Sequence, residues 1–179
     1  AVLRVADAKP MQLGHVLRAD GRWRLFLFAP QDDFATPGSR LRGLLDFLAE
    51  DGASPLLRHR RVAEDIDAVI EVLAVFQASH HALSLHDLPP LLMPRKGRYG
   101  LVDYEKVYCP SPQPGQDVFS LRGIDRAQGC MVLVRPDQYV AQVLPLEGGA
   151  ALADFFAGCL LEVSGTDSAR GLSHPVAGA

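Results

Sequence analysis

The residues best suited to chemistry in this 179-residue chain are its three cysteines and six histidines. Cys109, Cys130 and Cys159 would act as nucleophiles only where a neighbouring charge or a helix N-terminus favours the thiolate. Dithiol exchange further needs two of them close together, one of low pKa and one to resolve the mixed disulfide. The three are widely spaced and odd in number, which argues against a disulfide framework and for a reducing, cytoplasmic setting. Cys159 falls on the expected buried face of a late helix and Cys130 opens a strand. Cys109, in a proline-rich stretch, is expected to be the most exposed of the three. His80, His81 and His86 raise the question of a metal, but zinc needs three or four converging ligands, usually in paired spacings. Asp87 is the only carboxylate close to them in sequence, so they read as a solvated or hydrogen-bonded group. Arg58-His59-Arg60-Arg61 reads as a solvated basic edge, and Gly97-Arg98-Tyr99-Gly100 as a turn rather than a contact patch. No glycine-rich phosphate loop follows a strand and no nucleophile elbow is present. Catalytic, cofactor-binding and metal-binding residues are therefore all read as none.

Composition narrows the field of partners. The chain is 48% hydrophobic and 22% charged, with a formal net charge of −3. That mild acidity offers no attraction to nucleic acid or to an anionic membrane. No apolar run approaches the ~20 residues of a membrane-spanning helix, and no signal peptide opens the chain. It begins at Ala1 and its first methionine is Met11, as expected of a piece of a longer polypeptide.

Periodicity then supplies the elements that would have to position any site. Two strand-like runs, 11–18 and 22–28, flank Ala19-Asp20-Gly21, and Asp-Gly between such runs predicts a hairpin. After the polar stretch 31–38, Ser39 can cap a helix in which Leu41, Leu44, Leu45 and Leu48 share one face, with Gly52 as its stop. Residues 66–76 fit a helix or a strand. The β-branched run 69–76 favours a buried strand. Prolines exclude 83–94 and 108–115 from helix interiors and central strands, so 95–108 is expected to be an excursion from the core. The stretch 130–146 reads as two strands joined by a turn at Pro136-Asp137, with Val132, Val134, Val140 and Val143 packing on either side and Pro145 at a strand end. A helix over about 150–163 follows, its apolar face made by Leu152, Phe155, Phe156, Cys159, Leu160 and Val163. The predicted fold is α/β: a thioredoxin-like mixed sheet flanked by helices, with an N-terminal hairpin extension and a long irregular insertion. In a thioredoxin the reactive dithiol would lie in the loop between the first core strand and the first helix, here 29–39, which contains no cysteine.

Four stretches resemble one family. They are RVADAKPMQLGHVLRADGRWRLFLFA (4–29), KGRYGLVDYEKVY (96–108), DVFSLRGID (117–125) and VLVRPDQYVAQVLPL (132–146). Together they resemble, in family order over residues 4–161, the C-terminal domain of FAD-dependent aromatic hydroxylases of the phenol hydroxylase type. The resemblance implies a thioredoxin-like domain that helps form a homodimer. It also implies an upstream domain of the same polypeptide that binds FAD and the phenolic substrate and uses NAD(P)H and molecular oxygen. No cofactor would be bound by this chain itself, and no catalytic residue of the family can be carried over. Gly129 stands where thioredoxin has a cis-proline before its hairpin, in keeping with a lost thiol site.

The expected organisation is an N-terminal arm at 1–20, a thioredoxin-like domain at 21–164 and a flexible tail at 165–179. The first functional reading is a non-catalytic accessory and dimerisation domain of an aromatic-ring monooxygenase acting on a phenol or a 3-hydroxybenzoate-like substrate. The alternative is a stand-alone thiol oxidoreductase or peroxidase. A third reading is a binding module that grips a partner domain through 96–108, with Arg98, Tyr99 and Tyr104 in contact.

Overall fold

In the computed structural model, which describes residues 1–163, the chain opens with a small hairpin of β1 (Val2–Arg4) and β2 (Lys9–Met11). A 3-10 turn at Leu13–Val16 leads to β3 (Trp23–Phe28), then α1 (Arg40–Glu50), α2 (Pro55–Arg58) and β4 (Ile70–Val75). Two short 3-10 turns precede a separate two-stranded hairpin, β5 (Arg95–Lys96) and β6 (Leu101–Val102). The order closes with β7 (Val107–Pro110), α3 (Val118–Arg122), β8 (Cys130–Val134), β9 (Val140–Leu144) and α4 (Gly149–Ala157).

Seven strands form one mixed sheet in the order β2-β1-β7-β4-β3-β8-β9. β3 and β4 run parallel, joined through α1, and β4 and β7 also run parallel. β8 pairs antiparallel with β3, β9 folds back on β8, and α4 follows. This strand–helix–strand unit plus hairpin plus helix is the thioredoxin-like arrangement read from the sequence.

Local chemistry explains the elements that were expected. The Ser39 hydroxyl accepts from Arg42 N at 3.2 Å and caps α1, whose Leu41, Leu44, Leu45 and Leu48 are all buried. Each contributes roughly 1.5–3 kcal/mol of burial. They pack with Leu152 and Phe156 of α4 against one face of the sheet, which presents Leu25, Leu27, Val72, Ala74 and Leu133. Trp23 fills the lower corner, its ring edge-on to Phe156 at 5.2 Å and to Phe155 at 5.7 Å. The other face presents Phe26, Phe28, Leu73, Val75 and Tyr108. Val118 and Phe119 of α3 and the segment of Leu13, Val16 and Leu17 cover it.

Three expectations are corrected. Residues 11–18 do not form a hairpin with β3. Both sides of β3 are taken, by β4 and β8, and only Met11 of that run lies in a strand, β2. Asp-Gly still makes a turn, with Gly21 at φ +79, but the Asp20 carboxylate is engaged by Arg22 and Arg24 instead of a tight hairpin loop. The proline-rich stretch contributes a core strand after all: β7 lies between β1 and β4, and Pro110 is its last residue, opposite Val2. A proline at a strand end removes few ladder hydrogen bonds. The final helix stops at Ala157, shorter than expected. The expected tail at 165–179 lies outside the described residues.

The 130–146 stretch behaves as read. Arg135 N donates to Tyr139 O at 2.8 Å and Gln138 N to Arg135 O at 2.9 Å, closing the turn around Pro136 and Asp137. Pro145 lies just beyond β9. Its two valines, however, are not packed: Val140 and Val143 are 59% and 62% exposed.

Candidate functional site

The end of the sheet where β3 passes into α1 is the place for thiol chemistry in this architecture, and hydrogen bonds close it. The Asp33 carboxylate accepts from Ala35 N at 2.8 Å and from Leu41 N at 3.0 Å, tying the loop to the first turn of α1. The Gln77 side chain donates to Ala29 O at 3.0 Å and Arg126 O at 2.8 Å, while Arg126 donates back to Gln77 Oε1 at 2.9 Å. Between these groups lies a polar cleft of about 260 Å³ bordered by Gln31, Asp33, Phe34, Gln77 and Arg126. Nearby, Gly129 sits at φ +63, where a Cβ would be driven against Phe28 O and Pro30. Only glycine permits so close an approach of the two backbones.

The cysteines fall elsewhere, and two of the expected environments are reversed. Cys109 is fully buried, on β7, because that stretch is a core strand. Cys159 is exposed, because α4 ends before it. Cys130 is half-buried at the start of β8. Cys109 and Cys130 are three strand positions apart in the sheet, roughly 14 Å laterally, too far for a disulfide. Burial pushes all three thiols up from their ordinary value. That is the opposite of the shift an attacking thiolate needs.

The rings of His80 and His81 lie against one another, tilted by 38° with centroids 3.9 Å apart. Neither they nor His86 joins a cluster of metal-ligand type among the described residues. The basic run 58–61 is more than the solvated edge expected. His59 is buried and its Nδ1 lies 3.0 Å from Leu161 O, Arg58 pairs with Glu162, and Val163 N donates to Arg58 O at 2.9 Å. This cluster therefore anchors the chain that leaves α4. Gly97-Arg98-Tyr99-Gly100 is the turn of the β5–β6 hairpin, with both glycines at positive φ. Tyr99 and Leu101 stand out from it largely exposed.

The site that sequence reasoning missed is a buried set of charges at the opposite end of the parallel strands. Arg24 on β3, Glu71 on β4 and Lys106 just before β7 are neighbours on one face, and Arg24 and Lys106 are almost wholly buried. Lys106 Nζ contacts Glu71 and lies 2.6 Å from Asp67 and 3.2 Å from Asp103. Arg24 contacts Glu71 and pairs with Asp20 at 2.8 Å. Arg22 and Lys96 complete the group, at 2.7 Å from Asp20 and Asp67 respectively. Four cations thus meet four carboxylates. Asp67, Glu71 and Asp103 have the spacing of a metal-ligand trio, but lysines occupy the space between them. Burial would raise the Asp67 carboxyl, yet hydrogen bonds from Lys106 and Lys96 outweigh it and leave the group below its ordinary value. A signal for this cluster was present: single opposite charges, Arg24 and Glu71, interrupt two otherwise apolar strand runs.

What remains as a candidate for function is surface. The described chain has no helix long and apolar enough to cross a membrane. Its sheet has two outer edges, β2 and β9, and the β9 edge carries exposed apolar side chains: Tyr139 at 72%, with Val140 and Val143. Beside it, on the α4 side, a shallow groove of about 670 Å³ is bordered by Trp23, Pro136, Ala141, Phe155 and Cys159. Exposed apolar edges of this kind serve association rather than turnover.

Comparison with known proteins gives that surface a context. Residues 1–164 match the family described as phenol hydroxylase, C-terminal dimerisation domain. The chain belongs to this family. It is 54% identical over 156 residues to 3-hydroxybenzoate 4-monooxygenase of Comamonas testosteroni, covering 87% of the chain and 24% of that protein. It is 28% identical over 158 residues to the FAD-dependent monooxygenase terD of Aspergillus terreus, covering 87% of the chain and 26% of that protein. The chain thus spans about a quarter of the length of these relatives. Among solved structures it resembles the exposed lipoprotein thioredoxin Etrx1 of Streptococcus pneumoniae, with 16% identity and a TM-score of 0.41, covering 86% of this chain and 96% of that one.

Proposed function

We propose that this dimerisation domain joins the subunits of a FAD-dependent aromatic-ring hydroxylase and takes no part itself in the chemistry. The family match over residues 1–164 carries this reading. The 29–39 loop without a cysteine supports it, as do thiols pushed up by burial, the opposite of the shift an attacking thiolate needs. In this reading an upstream domain of the same polypeptide holds FAD and the substrate and is served by NAD(P)H. The identity to 3-hydroxybenzoate 4-monooxygenase favours a phenol or a 3-hydroxybenzoate-like substrate. The assembly is a cytoplasmic homodimer, and residues 1–20 form an arm that adds β1 and β2 to the sheet of the domain at 21–164.

Sedimentation velocity of the full-length protein, with and without residues 1–163, tests the proposal. The expected result is a dimer that becomes monomeric, or dissociates at much lower dilution, when the domain is removed. A protein that dimerises equally well without it would overturn the reading. Thiol-dependent reduction of insulin or peroxide by the chain is expected to be absent, and activity lost on Cys159→Ser would favour the thiol oxidoreductase instead.

A further inference from the structure

The two edges of the seven-stranded sheet are built for opposite fates. β2 is three residues long, Lys9, Pro10 and Met11. A lysine and a proline on a short edge are the usual means of preventing strand addition. β9 reads Val140-Ala141-Gln142-Val143-Leu144, with neither charge nor proline. No other segment pairs with its outer side among the described residues. Its register puts Val140 opposite Val134 and Val143 opposite Val132, so both valines lie on one face of the sheet, and they are 59% and 62% exposed. Its one irregularity is a bulge at Ala141, where the register with β8 shifts between Leu133 and Val134, and an apolar edge without charge or proline is a template for another strand.

We infer that β9 pairs antiparallel with β9 of a second copy of this chain across a two-fold axis near Gln142, making the two sheets one. The inference rests on the assembly reading above and names the surface that carries it. A two-fold contact must be self-complementary, and the ends of β9 meet that condition. Asp137 and Glu147 lie the same number of residues to either side of Gln142. Each carries its own arginine: Arg135 is 2.6 Å from Asp137, and Arg40 pairs with Glu147. In antiparallel register about Gln142, Asp137 of one copy comes opposite Glu147 of the partner subunit. Both ends of the junction then hold equal positive and negative charge. Between them only uncharged side chains meet, with Val140 opposite Leu144 of the partner subunit and Val143 opposite Ala141 of the partner subunit, apolar cross-strand pairs of the kind that stabilise adjacent strands.

The test uses the full-length protein in sedimentation velocity over a dilution series. Val143→Lys places two lysines near the axis at a position exposed in the monomer, so the fold is retained. It is expected to weaken dimerisation at least tenfold, whereas Lys9→Glu at the opposite edge leaves it unchanged. Independently, Gln142→Cys in a Cys159→Ser background is expected to form a disulfide-linked dimer under mild oxidation, and Lys9→Cys is not. Undiminished dimerisation of Val143→Lys, with no cross-link from residues 140, 142 or 144 as cysteine, overturns the inference while leaving the assembly reading in place. A native protein that is monomeric throughout sinks both. Loss of flavin from Val143→Lys with the dimer intact would assign β9 to the upstream domain and overturn the inference.

Discussion

The two ends of the parallel strands β3, β4 and β7 are made from opposite materials. At their C-terminal ends, where open α/β sheets place ligands, Asp33, Gln77 and Arg126 stand around a polar cleft that Gln31 and Asp32 also line. Asp33, Gln77 and Arg126 are hydrogen-bonded to the 29–39 loop and its neighbours. At their N-terminal ends eight charged side chains are paired, several of them buried. The residues that look most reactive therefore lie where they hold strands together. At the other end the side chains of Asp33, Gln77 and Arg126 tie the loop in place around a small polar cleft. The paired charges join β3, β4 and the start of β7.

Breaking the charged end should have the largest effect. Lys106→Met leaves Asp67 and Glu71 facing each other without their central cation. Loss of one partner from a buried set costs about 3–5 kcal/mol, to be read from denaturant unfolding. A variant that unfolds at the native midpoint would mean that water, not Lys106, neutralises the carboxylates.

The same end governs the response to acid. Hydrogen bonds from Arg24 first, then Arg22, hold Asp20 low. Asp103 is pushed up by burial and brought below its ordinary value by Glu105 N and Lys106. Asp67 behaves likewise. Groups with depressed folded-state values stabilise fully above the unfolded carboxylate pKa, about 4, and lose that contribution as pH falls toward their folded values. The melting temperature is thus expected to hold level through neutral pH and drop below about pH 4. The drop should be shallower in Asp20→Asn. Lys96 is raised above its ordinary value of 10.5: burial lowers it, and Asp67 and Asp103 together more than compensate. Its contribution is complete below that value and disappears only in stronger base.

At the cleft end the expected effects are smaller. Gly129→Ala forces a Cβ against Phe28 O and requires an L-residue at positive φ. The cost should be about 1–3 kcal/mol in the same unfolding assay, and a neutral substitution would show that β8 can slide away from β3. Asp33→Ala removes the acceptor for two backbone N–H groups, with about 1 kcal/mol expected. Cys159→Ser, on the surface, should change stability by less than about 0.5 kcal/mol. A larger change would reveal a contact for this thiol that the described residues lack.

Much of the frame was legible in local patterns. The Ser39 cap and leucine spacing specified α1, the β-branched run specified β4, and Pro136-Asp137 specified the hairpin turn. Each of these signals is complete within one short window. Residues 11–18 misled because a turn signature says how the chain bends, not whether the neighbouring strand has a free side. β7 was hidden by prolines that mark only its end and the loop beyond it. The exposures of Cys109 and Cys159 were exchanged for the same reasons: one strand was missed, and one helix ran past its true end.

By itself the sequence determined the α/β class, the strand–helix–strand unit, the hairpin and the absence of a cysteine from the 29–39 loop. These follow from side-chain period, caps and turn residues, which act over a few neighbouring positions. Only the tertiary structure decided which strands are neighbours, and hence that Arg24, Glu71 and Lys106 meet. The same ordering left β9, and not a strand of the interior, as an open apolar edge. Strand pairing joins residues far apart in the chain, and no local pattern encodes which edge remains free once every other strand has found its partner.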